Sequence, residues 1–155
     1  MSDSPGSVVR EFLAAWADPK VDELANVFDD DAVWVHGPQG VHRGVNAIVD
    51  ELAKQLAISH PMTIEVITLV PNGWTVMVEW RGDWTMDGKP ISTTVMAAFE
   101  IDANGRITRW RESHNLKSIT DQIEAAGYKV TYVDAHLVVS RLSSSGSSCT
   151  TRALS

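Results

Sequence analysis

The stretch at residues 74–86 reads WTVMVEWRGDWTM and alternates between two kinds of side chain. One set of alternate positions is apolar and includes Trp80 and Trp84, whereas the other set contains Arg81 and Asp83. Successive side chains of a β-strand point to opposite faces of the sheet. The stretch therefore predicts a strand with one apolar face and one charged face.

Neighbouring parts of the chain show the same period of two. Three further segments alternate in this way: residues 62–70, 90–102 and 107–115. Three turn sequences separate the four segments: Pro71-Asn72-Gly73, Asp87-Gly88 and Ala103-Asn104-Gly105. Short Gly-containing turns of this kind connect antiparallel strands. The sequence therefore predicts an antiparallel meander over residues 62–115.

Helical periodicity of about 3.6 appears on both sides of the meander. It predicts four helices, at residues 6–17, at 21–28, over a run after Gly44, and at 116–127. A short strand is predicted at residues 32–36, after the acidic run Asp29 to Asp31 is expected to end the second helix. Helices followed by a curved sheet and a closing helix predict an α+β architecture, with the N-terminal helices packed on an antiparallel or mixed sheet.

The C-terminal part of the chain is predicted to be an extension, at residues 131–155, of a domain that spans residues 1–130. Residues 128–140 are apolar enough to pack, either as an added strand or as a flap across a pocket mouth. The Ser- and Gly-rich stretch that follows has too little apolar content to order itself. We therefore expect the chain to be flexible from about residue 141.

Composition limits the class of protein. A chain of 155 residues is long enough for one domain with a buried core. The net charge of −7, without a basic cluster, argues against a nucleic-acid-binding surface. The single cysteine, Cys149, excludes an internal disulfide framework and suits a reducing compartment. Without a leader or a long apolar run, the sequence predicts a cytoplasmic protein that has no membrane contact.

Charged residues on neighbouring strands form the first candidate site. Glu112 lies in Trp110-Arg111-Glu112, on the strand face that also carries His114. If the strands are neighbours, Arg81 would lie between Asp83 and Glu112. One protonated and one ionised carboxyl, bridged by a guanidinium, is an arrangement suited to general acid/base catalysis. The alternative from these residues alone is a structural salt bridge without catalysis.

His36 is a second candidate, either as a base or as a hydrogen-bonded structural residue. It follows Trp34 by two positions, so both side chains point the same way from the short strand. The histidines show no HxH or HxxxH spacing, and we therefore predict no metal site and no cofactor. A set of mainly apolar residues is expected to contact a small apolar substrate: Trp34, Met77, Glu79, Met96, Trp110 and His114.

The motifs also resemble a known family. Arg81-x-Asp83, a hairpin, the run GRITRWRE at residues 105–112 and then Leu116-Lys117 are similar to the limonene-1,2-epoxide hydrolase family, which has the NTF2-like or SnoaL-like cone fold. The resemblance covers roughly residues 6–127. It implies a homodimeric, cofactor-independent enzyme, and the apolar face of Trp80 and Trp84 is the expected dimer contact.

The resemblance implies a hydrolase mechanism without a covalent intermediate. Asp83 would protonate the oxygen of a terpenoid or cyclic epoxide, Arg81 would bridge the two acids, and Glu112 would activate the water that forms the diol. Family members hold that water with a Tyr and an Asn, where this chain has Trp34 and His36.

Two other functions stay open from the sequence. One is a ketosteroid isomerase-like isomerase or a polyketide cyclase that uses His36 as its base. The other is a non-catalytic, dimeric module that binds a small molecule.

Overall fold

Helices pack on one face of a curved, six-stranded sheet. The computed structural model describes residues 4–133, 136–142 and 151–154. In these residues the element order confirms the predicted α+β cone. None of the described helices is both long enough and apolar enough to cross a membrane.

The helices begin and end near the predicted positions. They are α1 (Pro5–Ala14), α2 (Val21–Ala25), α3 (Val45–Ser59) and α4 (Leu116–Ala125). Ser4 caps α1 by accepting a hydrogen bond from the backbone N–H of Ser7, and Pro5 occupies the first helical position, where its missing N–H costs nothing. Asn115 caps α4 through the N–H of Ser118 in the same way.

The main sheet is mixed. Its strands are β1 (Phe28–His36), β2 (Val41–Arg43), β3 (Thr63–Asn72), β4 (Thr75–Met86), β5 (Lys89–Ile101) and β6 (Ile107–His114), and their spatial order is β2-β1-β6-β5-β4-β3. Strands β3 to β6 form the predicted antiparallel meander. Strand β1 lies parallel to β6, which places His36 beside Glu112 in the register.

Strand β1 begins earlier than predicted. The acidic run Asp29 to Asp31 lies inside the strand and does not end a helix. Phe28 is buried and pairs with Ile107, and the N–H of Ile107 donates to the carbonyl of Val27 at 2.7 Å. The ladder with β6 and the burial of Phe28 thus override the local preference of the acidic residues for a helix end.

The C-terminal part forms a second, three-stranded sheet. Its strands are β7 (Tyr128–Val133), β8 (His136–Arg141) and β9 (Thr151–Leu154), in antiparallel pairs. Residues 128–140 are therefore strands, and not a flap, where the structure describes them. The chain was expected to be flexible beyond about residue 141, whereas the backbone of β9 pairs with β8. The same expectation for residues 143–150 lies outside the described residues.

Candidate active site

A cavity of about 50 Å³ lies between the inner face of the sheet and the helices. Five of the six tryptophans of the chain line it: Trp16, Trp34, Trp80, Trp84 and Trp110. Several polar residues share the wall: Gln39, Gln55, Ser59, Thr93, Glu112 and His114. Most of the wall is thus aromatic or aliphatic, and a small apolar molecule fits this chemistry.

Glu112 brings a carboxyl group into this apolar wall. The alternation of β6 turns Glu112 to the same side as Trp110, and the Glu112 side chain is only 5% exposed. Burial raises the pKa of Glu112 to about 8. The nearby Trp34 indole N–H lowers that pKa, although in the part of the chain that the structure describes it has no acceptor at hydrogen-bond geometry. A carboxyl with this pKa can both hold and release a proton near neutral pH.

His36 lies behind Glu112 and is fully buried. Its Nε2 is 3.2 Å from the Glu112 Oε1, and its ring stacks on Trp34 at a centroid distance of 4.0 Å. Burial lowers the pKa of His36 well below its usual value, and His114 and His42 lower it further. The imidazole is therefore neutral at pH 7, and among the described residues its Nε2 is close to the Glu112 carboxyl without a hydrogen bond to it.

His114 is the second titratable side chain of the cavity wall. Its Nδ1 is 3.9 Å from the Glu112 Oε1, and its Nε2 is 2.9 Å from the Gln39 Oε1. Burial lowers the pKa of His114, so this ring is also neutral near pH 7. If its Nε2–H donates to Gln39, the Nδ1 lone pair is available beside Glu112.

Sequence reasoning missed Glu51, which lies on α3 behind His36. Glu51 is 2% exposed, and its Oε1 is 3.7 Å from the His36 Nδ1. The sequence does indicate that Glu51 is buried, because it lies between Ile48 and Leu52 on the apolar face of the helix. An acidic residue on an apolar helix face is seldom buried without a partner.

The structure does not bring Arg81 and Asp83 to the cavity. Their side chains are 52% and 42% exposed and contact each other, with 3.0 Å between the Arg81 Nη2 and the Asp83 Oδ1. The hydrogen bond from Arg81 lowers the pKa of Asp83. Asp83 pairs with Ser92 across β4 and β5, far along the sheet from the Ala97 that pairs with Glu112. The expectation that Arg81 lies between Asp83 and Glu112 is therefore wrong.

The cause is the parity of β4. Trp80 and Trp84 are 5% and 6% exposed and point into the cavity, so the alternate positions that carry the charges point outward. The same parity contradicts a dimer contact formed by Trp80 and Trp84, because both are covered by the chain itself.

The expected substrate contacts divide in the same way. Trp34, Trp110 and His114 line the cavity. Met77 and Met96 are instead 52% and 60% exposed on the outer face of the sheet. Glu79 shares that outer face, since it pairs with Met96 and alternates with Val78 and Trp80.

Gly37 follows the end of β1 and lies against Glu112 and His114 of the site. We expect Gly37→Ala to destabilise the protein by about 1–3 kcal/mol. Its φ is +51°, and an added Cβ would lie 3.2 Å from the carbonyl oxygen of Glu112 and 3.3 Å from the His114 ring. Gly73→Ala is the matched control, because Gly73 has φ +61° with no atom within 4 Å of an added Cβ. Urea unfolding measures both, and equal losses would contradict a steric contribution at Gly37.

Comparison with known proteins supports the fold. The chain is similar to a structure of a LEH-like epoxide hydrolase from M. tuberculosis, at 20% identity and a TM-score of 0.67, over 79% of this chain and 90% of that one. It is also similar to a hypothetical protein with a ketosteroid isomerase-like fold from Catenulispora acidiphila, at 19% identity and a TM-score of 0.66, over 74% and 90% of the two chains.

A third similar structure is SalBIII, described as an epoxide hydrolase/cyclase-like enzyme in pyran ring formation of the polyether salinomycin. It is 17% identical, with a TM-score of 0.66, over 74% of this chain and 92% of that one. No protein with a curated description matches the chain in sequence. Identities at this level show a shared fold, whereas the model of the SnoaL-like domain matches residues 9–110, most of the chain. With its cone fold and its cavity at the inner sheet face, the chain belongs to the SnoaL-like family.

Proposed function

We propose that the protein is an acid/base enzyme that moves a proton on a small apolar substrate, and that Glu112 exchanges this proton. The observation that carries the proposal is the position of Glu112, the carboxyl that lines a tryptophan-rich cavity among the described residues. A carboxyl group loses its hydration when it is buried, and this loss lowers the stability of the fold. A buried carboxyl in an apolar wall therefore suggests a function that offsets the loss. Acid/base chemistry is such a role.

The arrangement supports an isomerisation or a cyclisation best. Such a reaction needs one group that takes a proton from one substrate atom and returns it to another. Glu112 faces the cavity, and His36 lies 3.2 Å behind it as a neutral partner. His36 does not line the cavity, so we assign the role of base to Glu112 and not to His36. The His36 ring, packed 3.2 Å from the carboxyl, limits where the carboxyl can move.

Epoxide hydrolysis is a second candidate, favoured by the contact between His114 and Glu112. The 3.9 Å between the His114 Nδ1 and the Glu112 Oε1 allows both groups to reach one small substrate. Glu112 would give its proton to the epoxide oxygen as one carbon–oxygen bond breaks. His114 would take a proton from the water whose oxygen bonds to that carbon. Asp83 and Arg81, on the outer face, take no part in this version.

One experiment with two arms tests the proposal. The first arm follows deuterium exchange from D2O into cyclic ketones and enones by NMR, and the second follows diol formation from cyclic and terpenoid epoxides. Exchange or rearrangement supports the isomerase class, and diol formation supports hydrolysis. Ligand binding without turnover in either arm would overturn the enzyme proposal and favour a binding module.

We further propose that the chain forms a homodimer through the outer face of the sheet. Met77 and Met96 are exposed there, and burial of such side chains stabilises association. Light scattering is expected to give twice the 17.0 kDa chain mass for the wild type, and a smaller mass for the double variant Met77→Glu/Met96→Glu. A wild-type mass of one chain would contradict the proposal.

A further inference from the structure

The geometry points to a binding site for a divalent metal ion of the zinc type, formed by His36, His42 and Glu51 behind the cavity wall. The three residues come from β1, β2 and α3, which the fold brings together. Their spacing in sequence matches no common ligand motif, and the site therefore escapes a search for HxH or HxxxH. It goes beyond the proposed function, because none of the three lines the cavity where the substrate is expected.

The distances between donor atoms fit one shared ion. The His36 Nδ1 is 3.4 Å from the His42 Nε2 and 3.7 Å from the Glu51 Oε1, and one ligand atom from each residue lies within 4.8 Å of the others. Zinc binds imidazole nitrogen and carboxylate oxygen at about 2.0–2.2 Å. Tetrahedral ligands at such bond lengths lie about 3.3–3.6 Å apart, close to the observed separations.

An unsatisfied oxygen gives an independent sign of a ligand. Among the described residues, the Glu51 Oε1 is buried and has no hydrogen-bond partner, although Glu51 lies beside both histidines. A buried carboxylate oxygen without a partner is costly, and buried charges are normally paired or bound to a metal. A cation between the three side chains satisfies this oxygen and can bind an imidazole nitrogen of each histidine at the same time.

The surroundings of His36 complete the pattern. If its Nδ1 binds the ion, its Nε2 carries the hydrogen and faces the Glu112 Oε1 at 3.2 Å. Ligand histidines usually donate their second N–H to a carboxylate, which fixes the tautomer and the orientation of the ring. In this structure the His36 Nε2 is within hydrogen-bond distance of the Glu112 carboxyl but outside hydrogen-bond geometry, and a bound ion would turn the ring into it. The ion would then act as a positioning element that holds His36, and through it Glu112, without contact with the substrate.

The donor set selects the class of ion. Two imidazoles and one carboxylate form a site that zinc uses with a fourth position left for solvent. Magnesium and calcium prefer shells made of oxygen atoms. In the absence of an ion, a hydrogen bond between His36 and His42 is the competing explanation for their contact, and it leaves the Glu51 oxygen unsatisfied.

The test uses the full chain without a histidine tag, treated with a chelator and then titrated with Zn²⁺ in a calorimeter. We expect one Zn²⁺ per chain and no comparable binding of Mg²⁺. His42→Ala and the isosteric Glu51→Gln are each expected to weaken binding by at least about 100-fold, more than the loss of an outer-shell partner. His60→Ala removes an exposed histidine and is expected to bind like the wild type.

Two results would overturn the site: a wild type without stoichiometric Zn²⁺, or ligand variants that bind as tightly as the wild type. Circular dichroism shows whether the variants fold. If they do not, zinc X-ray absorption on the wild type decides. A first shell of two imidazoles and oxygen supports the site, and a shell without imidazole excludes it.

Discussion

Glu112→Gln is expected to lower kcat/KM by about 10²–10⁴-fold on any substrate that the wild type converts, the usual contribution of a general acid or base. The amide has nearly the same shape as the acid, so the apolar cavity is kept. The amide, however, can neither give nor take the proton. The group that lies 3.2 Å from the His36 Nε2 is then no longer an acid. The measurement is kcat and KM in the exchange and diol assays, with the fold checked by circular dichroism.

Asp83→Asn is the matched control, because it makes a carboxyl-to-amide change outside the cavity. The Asp83 side chain is 42% exposed, and among the described residues its ion pair is with the exposed Arg81. Surface changes of this kind usually stay within about 0.5 kcal/mol, or a factor of about two. A loss in Asp83→Asn equal to that of Glu112→Gln would contradict the outward placement of Asp83 and restore the mechanism implied by the Arg81-x-Asp83 motif.

The meander could be predicted from sequence because period and turns agree. Strand β4 (Thr75–Met86) lies within one residue of the predicted 74–86, and Gly73 and Gly88 take the positive φ angles that their turns require. Strand β1 was harder, since its first half is acidic and is stabilised by a parallel neighbour distant in sequence. Long-range pairing of this kind has no local signal.

The side of the sheet that carries the site depends on the parity of a single strand. Alternation in residues 74–86 divides the side chains into two faces but does not say which face meets the helices. A shift of one residue moves every side chain to the other face. The Arg-x-Asp motif fits either parity. Large apolar side chains such as Trp80 and Trp84 are in general more often buried in the core than exposed, and both are buried in the structure. That general expectation is the one the structure follows.

Glu112 could be assigned to the cavity because it alternates with Trp110, an apolar neighbour that fixes the face of β6. The proximity of Glu51 and His42 to His36 could not be predicted, because it depends on how α3 and the β1–β2 turn pack around His36. Local sequence indicates that Glu51 is buried, but only the tertiary structure shows its partners.

Trp110→Ala is expected to lower the free energy of unfolding by about 3–5 kcal/mol. Trp110 is 2% exposed and lies at the centre of the aromatic core, parallel to Trp34 at a centroid distance of 4.1 Å and edge-on to Phe12 at 5.3 Å. Removal of the indole deletes these contacts and leaves a large void beside the existing cavity. The free energy of unfolding of a domain is only about 5–15 kcal/mol in total, so urea unfolding should detect the loss easily.

Trp74→Ala provides the control for this loss. Trp74 is the same residue type, but it is 57% exposed in the turn between β3 and β4. Its removal creates no cavity, and we expect a change within about 0.5 kcal/mol. Similar losses of unfolding free energy in the two variants would show that the stacking of Trp110 does not stabilise the core. A large loss confined to Trp110→Ala would show that the wall behind Glu112 is also what stabilises the fold, so that the cavity and the core share one set of aromatic side chains.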